Sequence, residues 1–310
     1  MMRIGLIGTN NTHGHQLAGF INGWRPDVPI PSRWVHGPLP QFYLWAKTLR
    51  ELEETGRVPA PDARVTRLWS EDPATEGALI ARACEVERLV DSPEEATRDV
   101  DAVLLLTDDP NSHVDLAVPV LKAGLPMFID KPLAPTDDAA REMAEVASAS
   151  GTPWFSGSAF RFSPSLLAFR DRVTAEIGVP TAVYVQCPGW IERYGIHALE
   201  IMNVLVGHWV SEVAGAALPG RSSASLLLEG GETVLLETMS TAFDPPAQAI
   251  VWGAHGSLHW ESRDVYRSIF SMTTAFLDMA RSGVAPVPEA ESLELARLAN
   301  VLAEAASAKA

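Results

Sequence analysis

The 310-residue sequence predicts an α/β protein in two parts: a doubly wound parallel sheet over residues 1–150, then an α+β domain over 151–310 with an antiparallel-rich open sheet. Three observations predict it. Short apolar runs alternate with helical periodicity in the first half, and strands joined through helices pair in parallel with right-handed crossovers. Beyond about residue 150 the strand-like runs are linked by hairpin signals, of which Gly230-Gly231 is the clearest. The composition, 47% hydrophobic and 20% charged, is that of an ordinary globular chain long enough for two cores.

Arg3 to Ile7 is an apolar run ending at Gly8, which suits a buried parallel strand feeding a tight turn. Leu17, Ala18, Phe20 and Ile21 recur at helical spacing, with Gly23 as the stop. From Trp24 to Pro61 the prolines at 26, 29, 31, 38, 40, 59 and 61 break the pattern around one helix, Gln41 to Glu54, and mark an insertion. A strand (Val65 to Trp69), a helix (Ala74 to Glu85) and a helical stretch after Asp91-Ser92-Pro93 follow. Ala102 to Leu106 is a strong strand, His113 to Ala123 a helix closed by Gly124, and Pro126 to Ile129 a further strand. In the second part Ala182 to Gln186, Ser223 to Leu228, Thr233 to Thr238 and Ala249 to Trp252 read as strands. Helices are expected at Pro164 to Glu176, His197 to Val206, Ile269 to Arg281 and Ser292 to Ala306.

Lys+Arg 24 against Asp+Glu 39 leaves a net charge of −15, a field that repels a phosphate backbone, so nucleic acid is excluded as a partner. Cys84 and Cys187 are the only cysteines, too few for a disulfide framework or a cysteine-rich zinc site, which points to the cytoplasm. No apolar run reaches the ~18 residues of a membrane span. The N-terminus turns glycine-rich too early for a secretion signal. His255, His259 and Glu261 sit at even spacing on one strand, but no further ligand completes a metal set, and no metal is expected.

The first turn reads Gly8-Thr9-Asn10-Asn11-Thr12-His13-Gly14-His15. It has the strand, turn and helix of a dinucleotide fingerprint, in which a pyrophosphate rests on the helix amides, without the full G-x-G-x-x-G. His13 and His15 flank the helix start and are given loop and cap roles. The acid that binds the ribose belongs at the end of the second strand, where Ser70 and Glu71 stand. Glu71 with Asp72 favours NAD over NADP, because carboxylates repel a 2′-phosphate.

Downstream, Val100-Asp101-Ala102-Val103 leads through Thr107 and Asp108 to Asn111-Ser112-His113, and Ala123-Gly124 leads to Asp130-Lys131-Pro132. Arg161-Phe162-Ser163-Pro164, Gly195-Ile196-His197 and Gly253-Ala254-His255-Gly256 come later. In this order and spacing the sequence resembles the Gfo/Idh/MocA family, the relatives of glucose-fructose oxidoreductase and inositol dehydrogenase. The resemblance implies a Rossmann-type first domain and an NAD(P)-dependent oxidoreductase moving a hydride between nicotinamide and a secondary alcohol or ketone of a sugar, cyclitol or similar small metabolite. It implies a homo-oligomer, dimer or tetramer, formed through the open sheet. Two other members of such a family remain open: a hydrolase or lyase using NAD transiently, and a non-catalytic ligand-sensing relative.

By the same resemblance Gly8, Thr9, Asn10, Asn11, Thr12, Ser70, Glu71, Thr107, Asp108, Asn111, His113, Asp130 and Lys131 bind the cofactor. Lys131 and His197 are the implied catalytic residues, a lysine beside the nicotinamide and a histidine sharing its proton work. Where the family often carries an aspartate one turn before that histidine, this chain has Arg193, and a cation cannot orient an imidazole as a carboxylate does. Tyr194 and Glu200 are near His197 in sequence, Glu200 on the same helical face. Arg161 and Arg193 suit an anionic substrate, since guanidinium forks match carboxylates, and Trp190 and His197 complete the expected substrate contacts.

Overall fold

A computed structural model describes residues 1–29, 41–207, 209–218, 220–240, 246–263 and 265–307. The chain forms two compact units, Met1–Ser156 with Met272–Glu289, and Gly157–Ser271 with Ala290–Ala310.

In the first unit six strands, β1 (Met2–Ile7), β2 (Ala63–Trp69), β3 (Arg88–Leu89), β4 (Ala102–Leu105), β5 (Met127–Ile129) and β6 (Trp154–Ser156), pair in the order β3-β2-β1-β4-β5-β6. Every pairing is parallel. Buried on both faces, the central strands are continuous apolar runs: Ile4, Leu6 and Ile7 lie beside Val103, Leu104 and Leu105, all at or below 1% exposure. The helices between them are α1 (Thr12–Asn22), α2 (Gln41–Glu54), α3 (Ala78–Ala83), α4 (Pro93–Ala96), α5 (His113–Lys122) and α6 (Asp137–Ser150). Gly23, with φ 80°, ends α1 as the sequence leads one to expect.

Two of the expected helices differ in the structure. The stretch expected as one helix from Ala74 to Glu85 opens with a wide turn over Pro73–Gly77, because Asp72 caps Thr75 and Pro73 has no amide to give, and α3 stops at Ala83. The insertion is anchored by α2, whose Trp45, Leu49 and Leu52 are buried; Pro31, Pro38 and Pro40 lie outside the described residues. Trp45 packs edge-on against Trp24 and His15. The first sheet runs on through α6, capped by Thr136 and closed by Gly151 in the left-handed region, to β6. Met272–Glu289 is tied into this unit where Arg281 donates to both carboxylate oxygens of Asp62, at 2.9 and 2.7 Å, and where Trp154 Nε1 donates to Glu289.

The second unit is built on β7 (Pro180–Pro188), β8 (Val210–Leu218), β9 (Arg221–Leu228), β10 (Thr233–Met239), β11 (Gln248–Gly253) and β12 (Gly256–Glu261), in the order β12-β11-β7-β10-β9-β8. Only β7 and β10 pair in parallel. One face is apolar and buried: Val183, Val185, Leu226, Leu236 and Val251 pack with Phe169 of α7 (Pro164–Glu176), Leu199 and Met202 of α8 (Ile191–Val206), and Leu298 of α10 (Glu289–Ser307). The remaining helix, α9, is Val265–Ser282. The other sheet face sets Ile250 beside Tyr184 and Tyr184 beside Leu235, and Leu235 and Trp252 are 41% and 42% exposed. No helix of the described residues is long and apolar enough to cross a membrane.

Candidate active site

Because the first sheet is wholly parallel, the turns that follow β1, β2, β4 and β5 lie along one edge, and the strand order reverses between β1 and β4. Ligands of open α/β sheets bind outside the carboxyl ends of the strands at such a reversal. The expected cofactor residues of this chain fall in those four turns.

Gly8 takes φ 99°, and a side chain there would collide with the backbone of Leu106 and Thr107 at the end of β4. The amide of Thr9 donates to Glu71 Oε2 at 2.8 Å, and its hydroxyl shares a hydrogen bond with buried Ser70, whose oxygen also accepts from Asp72 N. Counted from Gly8, Asn10 and His13 occupy the second and third glycine positions of G-x-G-x-x-G. Both side chains reach to neighbouring strand ends. Asn10 Oδ1 accepts from Asp108 N at 2.8 Å, while Asn11 caps α1 at His13 N and donates to Leu106 O. The first amides of α1 have no partner within the helix, and the Glu71 carboxylate stands against the same turn. Amide donors on one side and an acid on the other fit a dinucleotide's pyrophosphate and ribose.

Asp130 is the hub at the end of β5. Fully buried, it accepts from Lys131 N at 2.8 Å, from Asn11 Nδ2 at 3.0 Å and from His13 Nδ1 at 2.8 and 3.0 Å. Burial pushes its carboxyl up, but the charge and hydrogen bond of His13, with Lys131, outweigh that and bring it down to about 2. His13, given only a loop role from sequence, is thus a member of this site. Its partner lies 117 residues away, and nothing local in the sequence signals it. His15 is a core residue, not a cap: burial, and then the charge of His13, depress it to about 3. Lys131 itself is half-buried.

Several expected cofactor contacts are structural in this geometry. His113 is fully buried, each ring nitrogen within hydrogen-bond distance of a backbone carbonyl, Leu133 O at 2.9 Å and Thr107 O at 3.1 Å. It pins the turn after β5 to the turn after β4 and has no surface to offer a ligand. Thr107 is buried and bonded to Ser112, and the Asn111 side chain donates to Asp109. Ser70 and Asp130 likewise act on the turn from below, through Thr9, Asn11 and Lys131.

In the second unit His197 lies on α8. Its Nδ1 and the Ser158 hydroxyl share a hydrogen bond at 2.6 Å, and the rings of Phe160 and Tyr194 lie 5.7 and 5.4 Å from it. Arg161, expected to face an anionic substrate, is committed within the protein: it pairs with Glu200 at 2.7 Å and Glu291 at 2.6 Å. Glu200 is fully buried and accepts from Ser158 N; burial pushes its carboxyl up against the pull of Arg161. Gly157, at φ 146°, leaves the room that Glu200 needs. Trp190 is 55% exposed at the start of α8, and Arg193 is exposed on its first turn.

A dinucleotide-binding sheet with a lysine at the β5 edge, followed by an α+β unit with an open sheet, defines a class of two-unit oxidoreductases. Residues 49–157 match the model of the oxidoreductase family with an NAD-binding Rossmann fold, Gfo/Idh/MocA. The chain belongs to the Gfo/Idh/MocA family, and its first unit is that family's NAD-binding Rossmann fold. It is 30% identical over 181 residues to inositol 2-dehydrogenase 2 of Paenarthrobacter aurescens, a match covering 52% of this chain and 54% of that protein. Inositol 2-dehydrogenase of Paracoccus denitrificans is 30% identical over 177 residues, 51% of this chain and 52% of that one. The match spans about half the length of these relatives. In fold the chain is similar to scyllo-inositol dehydrogenase from Lactobacillus casei with bound NAD(H) and scyllo-inositol (TM-score 0.78, 15% identity, 99% of this chain and 97% of that one). It is also similar to a myo-inositol dehydrogenase from Corynebacterium glutamicum (TM-score 0.76, 18% identity, 99% and 97%).

Proposed function

We propose that this chain is an NAD-dependent dehydrogenase that oxidises a secondary alcohol of a cyclitol or closely related polyol. The observation that carries the reading is the buried Asp130 carboxylate, which takes the Lys131 amide and so fixes that lysine at the edge where the α1 amides and Glu71 also lie. Residues Gly8 to Thr12 and Glu71 would hold the dinucleotide, and the bound nicotinamide supplies the hydride acceptor. Lys131 exchanges the hydroxyl proton of the substrate and donates to the oxygen as charge develops on it. His197 is the second proton carrier, its ring held at Nδ1 by Ser158. Exposed Arg193 and Trp190, and not Arg161, are the candidates for contact with substrate. Inositol dehydrogenases among the relatives support a cyclitol as the substrate class. Two buried free thiols, Cys84 and Cys187, agree with a cytoplasmic protein.

The test is a calorimetric titration with NAD+ and NADP+, followed by turnover on myo-inositol, scyllo-inositol and a panel of sugars and hydroxy acids, read by formation of reduced nicotinamide. Lys131→Met should lower kcat by ~10²-fold or more with dinucleotide affinity within a few-fold. Failure of both dinucleotides to bind would remove the dehydrogenase reading. Dinucleotide binding without turnover on any panel member would favour a ligand-sensing relative.

A further inference from the structure

The structure assigns His13 a part in the reaction: we propose that it is a positioning residue for Lys131, acting through Asp130, so that the lysine is not held as that carboxylate's sole counter-charge. This rests on the reading of Lys131 as the proton carrier.

A fully buried carboxylate must be paired. Asp130 has three side-chain or backbone donors: the Lys131 amide, Asn11 Nδ2, and His13 Nδ1, which lies within 3.0 Å of both its oxygens. Two of these are neutral. The cations that act on Asp130 are His13 and Lys131. Were His13 absent, the whole of that demand would fall on Lys131. An ammonium drawn to its neighbouring carboxylate holds its proton more tightly and points back at the protein, and both effects work against proton exchange with a substrate. With His13 in place the carboxylate is satisfied from α1, and Lys131 is fixed by its backbone amide.

The local sequence is built around this contact. His13 stands where the fingerprint carries its third glycine, and Asn11, the residue that caps α1 at His13 N, also donates to Asp130. The first turn of α1 is therefore fastened to the residue preceding Lys131 by two side chains, in a place where a glycine would supply none. The positive end of the helix dipole opposes a cationic histidine there, and the Asp130 charge offsets it.

Lysine occurs at four positions, 47, 122, 131 and 309, so acetylation of the cofactor-free protein with an amine-reactive reagent, read by peptide mass spectrometry, reports Lys131 against Lys47 and Lys122. In His13→Gln, which keeps a neutral donor, Lys131 should be acetylated at least ~3-fold more slowly, and in His13→Phe ~10-fold, with Lys47 and Lys122 unchanged. In an Asp130→Asn background, His13→Gln should have no effect on the Lys131 rate. On the proposed substrates His13→Gln should lower kcat more than it raises KM, with NAD affinity within about twofold. An unchanged Lys131 rate in His13→Gln, or the same slowing with and without Asp130, overturns the proposal. The two failures are separable: normal turnover of Lys131→Met would sink the proton-carrier reading, whereas the acetylation ratio decides the His13 coupling regardless of turnover.

Discussion

Ser158 holds His197 through a 2.6 Å hydrogen bond from its hydroxyl to Nδ1, and its own backbone amide donates to buried Glu200. Glu200 in turn pairs with Arg161, and Arg161 with Glu291, which also accepts from Asn203. The imidazole is thus oriented by a residue from the turn before α7, fixed by a buried ionic network. It does not depend on a carboxylate one turn earlier on its own helix, where this chain has Arg193. Removing one partner of such a network leaves an uncompensated buried charge, at a cost of about 3–5 kcal/mol.

Ser158→Ala should therefore act on catalysis more than on stability. The hydroxyl also accepts from Phe160 N, so a small loss of stability, roughly 1 kcal/mol, accompanies the change. If the hydroxyl keeps the His197 ring in its working orientation, kcat falls about tenfold while NAD affinity is unchanged, and Ser158→Thr restores most of it. Steady-state kinetics of the two variants, with Arg161→Lys as a control for the network, check this. Equal kcat in wild type and Ser158→Ala would separate Ser158 from the chemistry.

Glu71 does two things at once, accepting from Thr9 N and placing a charge beside the turn. Glu71→Gln keeps an acceptor and removes the charge. The ratio of NADP+ to NAD+ affinity should then rise about tenfold, ~1.4 kcal/mol, because a 2′-phosphate no longer meets a carboxylate. Paired titrations measure it. A ratio that stays constant would mean that Glu71 serves only the turn.

Acid should destabilise the first unit in two stages. His15 titrates near 6.5 when unfolded and at about 3 when folded, so between these values the unfolded chain binds a proton that the folded chain refuses. Stability is fully present above 6.5 and is lost as pH falls toward 3, by roughly 1.4 kcal/mol per unit, or about 2–3 kcal/mol by pH 4.5. Asp130, lowered from 3.8 to about 2, adds its own loss only below 3.8. Urea denaturation at a series of pH values should show the upper stage in wild type and a flattened slope in His15→Phe, whose ring keeps the edge contact with Trp45. An unchanged slope in that variant would assign the upper stage to another group.

Much of this fold is legible in the sequence wherever the signal is local. The run from Arg3 to Gly8, the strand at Ala102 and the hairpin at Gly230-Gly231 all lie where apolar period and turn chemistry put them. Helix α6 announces itself less by its apolar period than by its ends, Thr136 followed by Asp137 and Asp138, then Gly151. Strand β8 is obscure because Val210–Leu218 is rich in alanine, with a central glycine, and carries little alternation. The site divides in the same way. Lys131 and His197 follow from motifs, and the strand-end turns follow from topology. The partners that decide what each side chain is free to do are tertiary: Asp130 for His13, Ser158 for His197, and Glu291, 130 residues away, for Arg161. A guanidinium in a motif looks the same whether it faces a substrate or two internal carboxylates.

The uncovered face of the second sheet leads to a prediction about assembly. Across it, Ile250 stands beside Tyr184 and Tyr184 beside Leu235, with Trp252 one row away, and Leu235 and Trp252 keep some two-fifths of their surface open. Contiguous apolar side chains on a sheet face are costly in water, and a second copy applied about a twofold axis would bury the same residues on both partners. Tyr184 is already braced against Glu237 by a 2.7 Å hydrogen bond, so the face is ordered before any partner arrives. The chain should therefore be a homo-oligomer at micromolar concentration, and Leu235→Arg, which sets like charges against each other across a twofold interface, should shift it to the monomer without loss of helix or sheet. Light scattering on both proteins, with circular dichroism to confirm the fold, reads the outcome. A wild-type monomer would end the idea, and so would a Leu235→Arg protein with unchanged mass.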